Sequence, residues 1–289
     1  MTWFVFAFLT ALSVAVHDAW VKKWFSSLST YEMLAIPLVY SLPWTVASLL
    51  VVNVPPLDRV FYLTFLVLLP LNAVPLFMYI RAIQVSPLSL TVPYLAFTPV
   101  FMIATGFLFL GEMPDIWGFV GIGAVCAGSY VLNMDLRNLS LLGPLRSVFK
   151  ETGSWMMLIV SFIYSITSVL GKLAILHSSV LFFQMAFFVV LNPLIVLIFL
   201  ALGKIRMRTL IRYPVKGLVA GLLFYSHIFF HGYGISMTKA AYMVSVKRLS
   251  IVFGVIFGAL VFGEDNFWMR LFGALLMFSG AVAIVLMAG

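Results

Sequence analysis

Runs of about twenty apolar residues, each long enough as a helix to cross a hydrocarbon core about 30 Å thick, alternate with short polar breaks along this chain. They fall at residues 2–21, 31–52, 60–83, 88–110 and 115–134, and again at 154–176, 179–202, 213–237, 240–262 and 266–288. Each run predicts one membrane-spanning helix, five on either side of a polar seam. The seam, 133–153, holds Asp135, Arg137, Arg146, Lys150 and Glu151, and a second linker, 203–216, holds Lys204, Arg206, Arg208, Arg212 and Lys216. The first run has no basic residues before it and no small-residue cleavage site, so it is expected to span the membrane rather than be removed as a signal segment.

The two sets of five repeat one another. A shift of 152 residues places Phe101 on Phe253, Gly106 on Gly258, Gly111-Glu112 on Gly263-Glu264, Gly121 on Gly273 and Gly128 on Gly280. The same shift sets Trp3 on Trp155, Ser13 on Ser165 and Glu32-Met33 on Gln184-Met185. Glycine and glutamate identities at one offset are not a by-product of apolar composition. They predict two copies of one unit, 1–134 and 154–289, joined by a linker at 135–153. Because five is odd, tandem copies insert with opposite orientation. The expected fold is therefore all-α and integral to the membrane, with ten transmembrane helices as two inverted five-helix repeats.

Composition names the solvent. Hydrophobic residues make up 64% of the chain and charged ones 9%, so its exterior must face lipid. The formal charge of +8 is not a nucleic-acid signal, since the cations sit in connections without an aromatic-basic platform. The lone Cys126 lies in an apolar run and offers no disulfide. No cofactor motif is read, and the absence of a G-x-x-x-x-G-K-[ST] loop argues against ATP hydrolysis by this chain. The expected partners are a small-molecule substrate and the lipid bilayer, with no nucleic acid and with monomer and homodimer both open. Twelve basic residues follow odd-numbered helices, Arg270 and the cations of both linkers among them, and only Arg59, Lys172 and Lys239 follow even-numbered ones. Positive-inside bias then puts both termini outside the cytoplasm of a cell membrane, of the bacterial inner-membrane type.

Certain segments resemble a known family. VKKWF (Val21–Phe25) and GKLAI (Gly171–Ile175) place a lysine at the end of the first helix of each half, YIRAIQVSPLSL (Tyr79–Leu90) joins the third and fourth helices, and Pro99 precedes the fourth. With the paired GE…G…G endings, each half is similar to the EamA domain of the drug/metabolite transporter superfamily, ten-helix carriers built from two such domains. Two departures stand out: AIPLVY (Ala35–Tyr40) lacks the arginine the family often carries in its second helix, and Ile251 stands where Pro99 has its counterpart. The resemblance implies a transporter and not an enzyme, a cavity lined by helices one, three, four, six, eight and nine, and, against the loop charges, termini inside.

Within the runs, polar residues are candidates for chemistry. Lys247 and Arg248 lie about 11 Å into the ninth helix, where each buried charge costs about 2.5–3.5 kcal/mol. An organic anion would compensate them, and arginine's planar fork suits phosphate or carboxylate. The pair is also similar to one in the plastid phosphate translocators of the same superfamily. The bland alternatives are an ion pair with Asp18 and snorkelling. His227 and His231, four apart, share a helix face and would line the cavity; as a metal site they lack a third ligand. Asp18, beside His17, is a coupling site or the ion-pair partner of Lys22. Lys22 and Lys172 occupy matching positions as gates or snorkelling residues. Tyr79, Arg81 and Tyr94 flank the third-to-fourth connection as substrate contacts or interfacial anchors. Glu112 and Glu264 read as caps of the helices that follow them, the glycines as helix contacts, Asn72 and Asn192 as repairs beside helical prolines, and no phenylalanine is assigned a role. The expected function is a secondary transporter moving a small organic anion by alternating access. The alternatives are a neutral amino-acid exporter and, from another class, a membrane-embedded metalloenzyme built on the two histidines.

Overall fold

The computed structural model describes residues 2–87, 91–132, 151–262 and 267–288. Every regular element among them is helical: α1 (Thr2–Phe25), α2 (Thr30–Leu50), α3 (Arg59–Val85), a 3-10 segment (Val92–Phe97) running into α4 (Thr98–Leu110), α5 (Ile116–Leu132), α6 (Thr152–Leu176), α7 (Val180–Ala201), α8 (Met207–Ile211), α9 (Pro214–Ser236), α10 (Ala240–Lys247), α11 (Leu249–Phe262) and α12 (Phe267–Met287). Among the described residues, seven stretches are long and apolar enough to cross a membrane: α1, α2, α3, α6, α7, α9 and Ala240–Gly258. Shorter apolar helices cover Tyr94–Leu110, Ile116–Val131 and Phe272–Met287.

Helix starts follow the side chains available to cap them. Ser29 and Glu32 form a reciprocal capping box at α2, and Asp58 and Ser179 accept from the backbone N–H of Phe61 and Phe182 at α3 and α7. Gly111 ends α4 in the left-handed conformation at φ 66°, which a residue with a Cβ adopts only at a cost. Two boundaries depart from the sequence pattern. α1 runs on to Phe25, because Lys22 and Lys23 favour a last helical turn at the negative end of the dipole. The second linker also holds the one-turn α8, whose Leu210 is buried.

α1 lies against α9 and α11, α6 lies against α3 and α4, α5 pairs with α12, and α2 touches both α7 and α9. Glycine sets the closest approaches. A Cβ on Gly128 would come 2.6 Å from the carbonyl oxygen of Gly273, and one on Gly280 would come 2.6 Å from that of Gly121. Lipid tails are as apolar as leucine, so helix association rests on such van der Waals contact rather than on burial from water. At the second contact of this kind, between α2 and α9, Gly221 lies on the backbone of Tyr40.

Candidate substrate cavity

The predicted ninth helix is not continuous. α10 ends at Lys247 and α11 starts at Leu249, with no glycine or proline at the join. Here the ladder tightens: the Arg248 N–H is shared between the carbonyls of Val244 and Ser245, both at 3.1 Å, and the Ile251 N–H returns to the Arg248 carbonyl at 2.9 Å. At the matching place in the first half, the 3-10 segment gives way to α4 at Thr98. The two irregular points meet, because Arg248 Nη2 donates to Thr98 Oγ1 at 2.6 Å. Irregular backbone at membrane depth is tolerated where it is buried in protein or lines a cavity.

A cavity lies there, lined by side chains from both halves of the chain. Asp18, Tyr79, Lys172, His227, His231, Lys247 and Arg248 all reach its wall, so seven of the ten candidate site residues converge, with His17 beside them. The wall also takes in α2, through Leu34, Pro37 and Leu38, and α7, through Phe183, Phe187 and Phe188. These two helices were outside the set implied by the family resemblance. The fourth run contributes Leu95.

The cationic side is arranged around unused donors. Lys247 Nζ lies 3.2 Å from His227 Nε2, within hydrogen-bond distance. Arg248 is 4% exposed, and its Nε has no hydrogen-bond partner among the described residues; neither has His231 Nδ1. Leaving such groups unpartnered in a dry interior is costly, whereas a bound anion would satisfy them. Asp18, in turn, accepts a short hydrogen bond from the Tyr79 hydroxyl and lies 3.3 Å from His17 Nδ1. It forms no ion pair with Lys22, Lys247 or Arg248 among the described residues, which removes both ion-pair readings. His227 and His231 have ring centroids 6.3 Å apart, and no group of three metal-ligating side chains occurs among the described residues.

Other predicted residues fall elsewhere. Lys22 donates to the Ser86 carbonyl at 2.9 Å, off the cavity wall. Arg81 is exposed and its guanidinium reaches Thr30 and Gln84. Tyr94 is buried in the core beside Leu95. Glu112 does not cap the helix that follows it, since Asp115 does so by accepting from Gly118 N–H at 2.8 Å. The Glu112 carboxylate binds the Lys172 ammonium closely and accepts from Ala240 N–H at 2.8 Å, while Lys172 also donates to the Thr238 carbonyl at 2.6 Å. One carboxylate and one lysine thus tie the α4–α5 connection, the end of α6 and the start of α10 together, with Lys172 on the cavity wall. Glu264 lies outside the described residues. Asn72 does bond a backbone carbonyl, that of Leu68, but Asn192 crosses to Ser41 of α2 at 3.0 Å. Thr98 and Tyr164 were not anticipated; the offset of 152 from Ser250 was the available pointer to Thr98.

Comparison with known proteins agrees with this geometry. No curated protein matches the chain. Among solved structures 29 chains match, and one crystal structure is similar over 97% of this chain and 96% of its own, with a TM-score of 0.69 at 12% identity, a likeness of fold alone. Residues 1–134 match the model of the EamA-like transporter family. That family is one of transporters and not of enzymes. The first half of the chain is thus similar to the EamA-like transporter family of the drug/metabolite transporter superfamily, which implies a membrane transporter, and the apolar helices point to a multi-pass membrane protein.

Proposed function

We propose that the chain is a secondary transporter of a small organic anion, carrying phosphate or carboxylate, that works by alternating access around this cavity. In this reading ten spans form two inverted repeats, 1–134 and 154–289, with 135–153 as the linker. The exchange of partners between halves supports it. Under the 152-residue shift α1 corresponds to α6, α3 to α9 and α4 to α11, and α1 packs on α9 and α11 as α6 packs on α3 and α4. Helices broken at corresponding points of two repeats are where inverted-repeat carriers bind substrate.

The observation that carries the anion assignment is Arg248, buried at the break beside Lys247 on the cavity wall, with no acid paired to it among the described residues and with Nε unpartnered there. Around it, His231 and His227 offer further donors, Asp18 held by Tyr79 is the coupling group, and Lys172 with Glu112 closes one mouth. A neutral amino acid is the second reading, because Asp18 lines the same cavity and would meet an ammonium. A thermal-shift screen of purified protein against organic phosphates, carboxylates and neutral amino acids separates them. Stabilisation by anions alone is the expected result, and stabilisation by zwitterions alone would overturn it. Loop charge further places both termini outside the cytoplasm of the cell membrane. A periplasm-active reporter fused after Gly289 is expected to be active, and a fusion that works only in the cytoplasm would reverse the orientation.

A further inference from the structure

The cations occupy one end of a wall made of rings in mostly edge-on contact. From His231 to His227 the centroids are 6.3 Å apart, from His227 to Phe224 6.1 Å, from Phe224 to Phe188 5.7 Å, from Phe188 to Phe187 5.3 Å and from Phe187 to Phe183 5.5 Å. All six side chains line the cavity. Each spacing lies in the range of direct ring contact, so α7 and α9 present one continuous aromatic surface leading away from Lys247 and His227. It ends over α6, where a Cβ on Gly171 would lie 3.7 Å from the Phe183 ring. Leu34, Leu68 and Leu76 add to the apolar lining. Beyond the cationic end the lining is mainly apolar: Asn72 already donates to the Leu68 carbonyl and Thr167 to that of Tyr164, which leaves the side chains of Tyr164, Ser168 and Gln184 as its other polar groups. A cargo dense in hydroxyls would lose water along this wall without replacing its hydrogen bonds.

The charges set the other half of the cargo. Lys247 and Arg248 stand against Asp18, while Lys172 is matched by Glu112, leaving one formal positive charge uncompensated. We infer that the cargo is an amphipathic monoanion, its single carboxylate held at Lys247 and Arg248 and its aromatic or bulky apolar body laid along Phe224, Phe188, Phe187 and Phe183. This rests on the organic-anion reading and narrows it. Small polyhydroxy phosphates, with two charges and no apolar body, fit the wall poorly. The apolar body also gives discrimination of a different kind from the anion: truncating it empties the ring wall and leaves the cationic seat unchanged.

The test uses matched probes on the full-length purified protein. Phenylpyruvate and pyruvate share a head group and differ in the ring; glycerol 3-phosphate supplies a small dianion. Phenylpyruvate is expected to bind at least tenfold more tightly than pyruvate or glycerol 3-phosphate. Phe188→Leu and Phe224→Leu, each keeping an apolar side chain so that folding survives, are expected to narrow the phenylpyruvate-to-pyruvate ratio at least threefold. Equal binding of the two pyruvates, tighter binding of glycerol 3-phosphate, or an unchanged ratio in both variants would overturn the inference while leaving the anion reading in place. Binding of neutral leucine with none of the three anions would overturn both.

Discussion

The tie between Glu112 and Lys172 yields a prediction whose size follows from its surroundings. The lysine side chain is 8% exposed and the glutamate 21%, so the pair sits between two known regimes. Exposed pairs contribute about 0.2–1 kcal/mol, and removing one partner of a fully buried pair costs about 3–5 kcal/mol because the other charge is stranded. Glu112→Gln keeps an acceptor for the Ala240 N–H and removes the charge that Lys172 needs. A cost of about 2 kcal/mol is expected, which for a chain of this size lowers the melting temperature by about 4–8 °C. Lys172→Met, which fills the same space without a charge, should cost less. In the double variant most of the Glu112→Gln penalty should vanish, giving a coupling of at least about 1 kcal/mol in a thermal or chemical unfolding cycle in detergent. Additive effects, with a coupling under about 0.5 kcal/mol, would show that the contact does not hold the mouth of the cavity closed. A tie of about 2 kcal/mol also biases an open–closed equilibrium about thirtyfold, so Glu112→Gln should raise the accessibility of a cysteine placed at Ile235 on the cavity wall.

Two smaller predictions follow from the helix contacts and the caps. A Cβ on Gly221 would come 2.3 Å from the Tyr40 carbonyl carbon, whereas one on Gly123 would meet nothing within 4 Å; Gly221→Ala should therefore cost about 1–3 kcal/mol and Gly123→Ala should be neutral or slightly stabilising, with melting temperatures as the check and equal effects as the contradiction. Asp58 accepts from Phe61 N–H, and its carboxylate approaches His177 at 2.6 Å; the backbone bond first, and His177 after it, hold its carboxyl below the ordinary value of 3.8. A lowered carboxylate stabilises the fold above its ordinary value and loses that contribution as pH falls through the folded one, so the melting-temperature gap between parent and Asp58→Asn should be steady from pH 7 to about pH 5 and close below about pH 4.

Much of the architecture could be read from spacing. The apolar runs anticipated the described helices to within a few residues. Lys247 and Arg248 were conspicuous because charge at membrane depth is costly. The break itself was not legible, since it uses a bifurcated backbone hydrogen bond at Arg248 instead of proline or glycine. Pairings across the chain were equally hidden. Glu112 next to a glycine-ended helix looks like a cap from local sequence, yet its partners are 60 and 128 positions away. Asp18 suggested Lys22 by helical spacing, while the bundle supplied Tyr79. The phenylalanines carried no signal because lipid-facing, core and cavity-lining rings are indistinguishable until neighbouring helices are placed.

The most direct test of the anion seat is exchange in proteoliposomes, using the anion that most stabilises the parent protein in the ligand screen. Charge-assisted hydrogen bonds contribute about 1.5–3 kcal/mol each, so Arg248→Gln and Lys247→Met, in protein shown to fold by its melting profile, should each weaken transport of that anion at least about tenfold. If both variants exchange the anion as well as the parent does, Lys247 and Arg248 are not its seat and the account of the cavity is wrong.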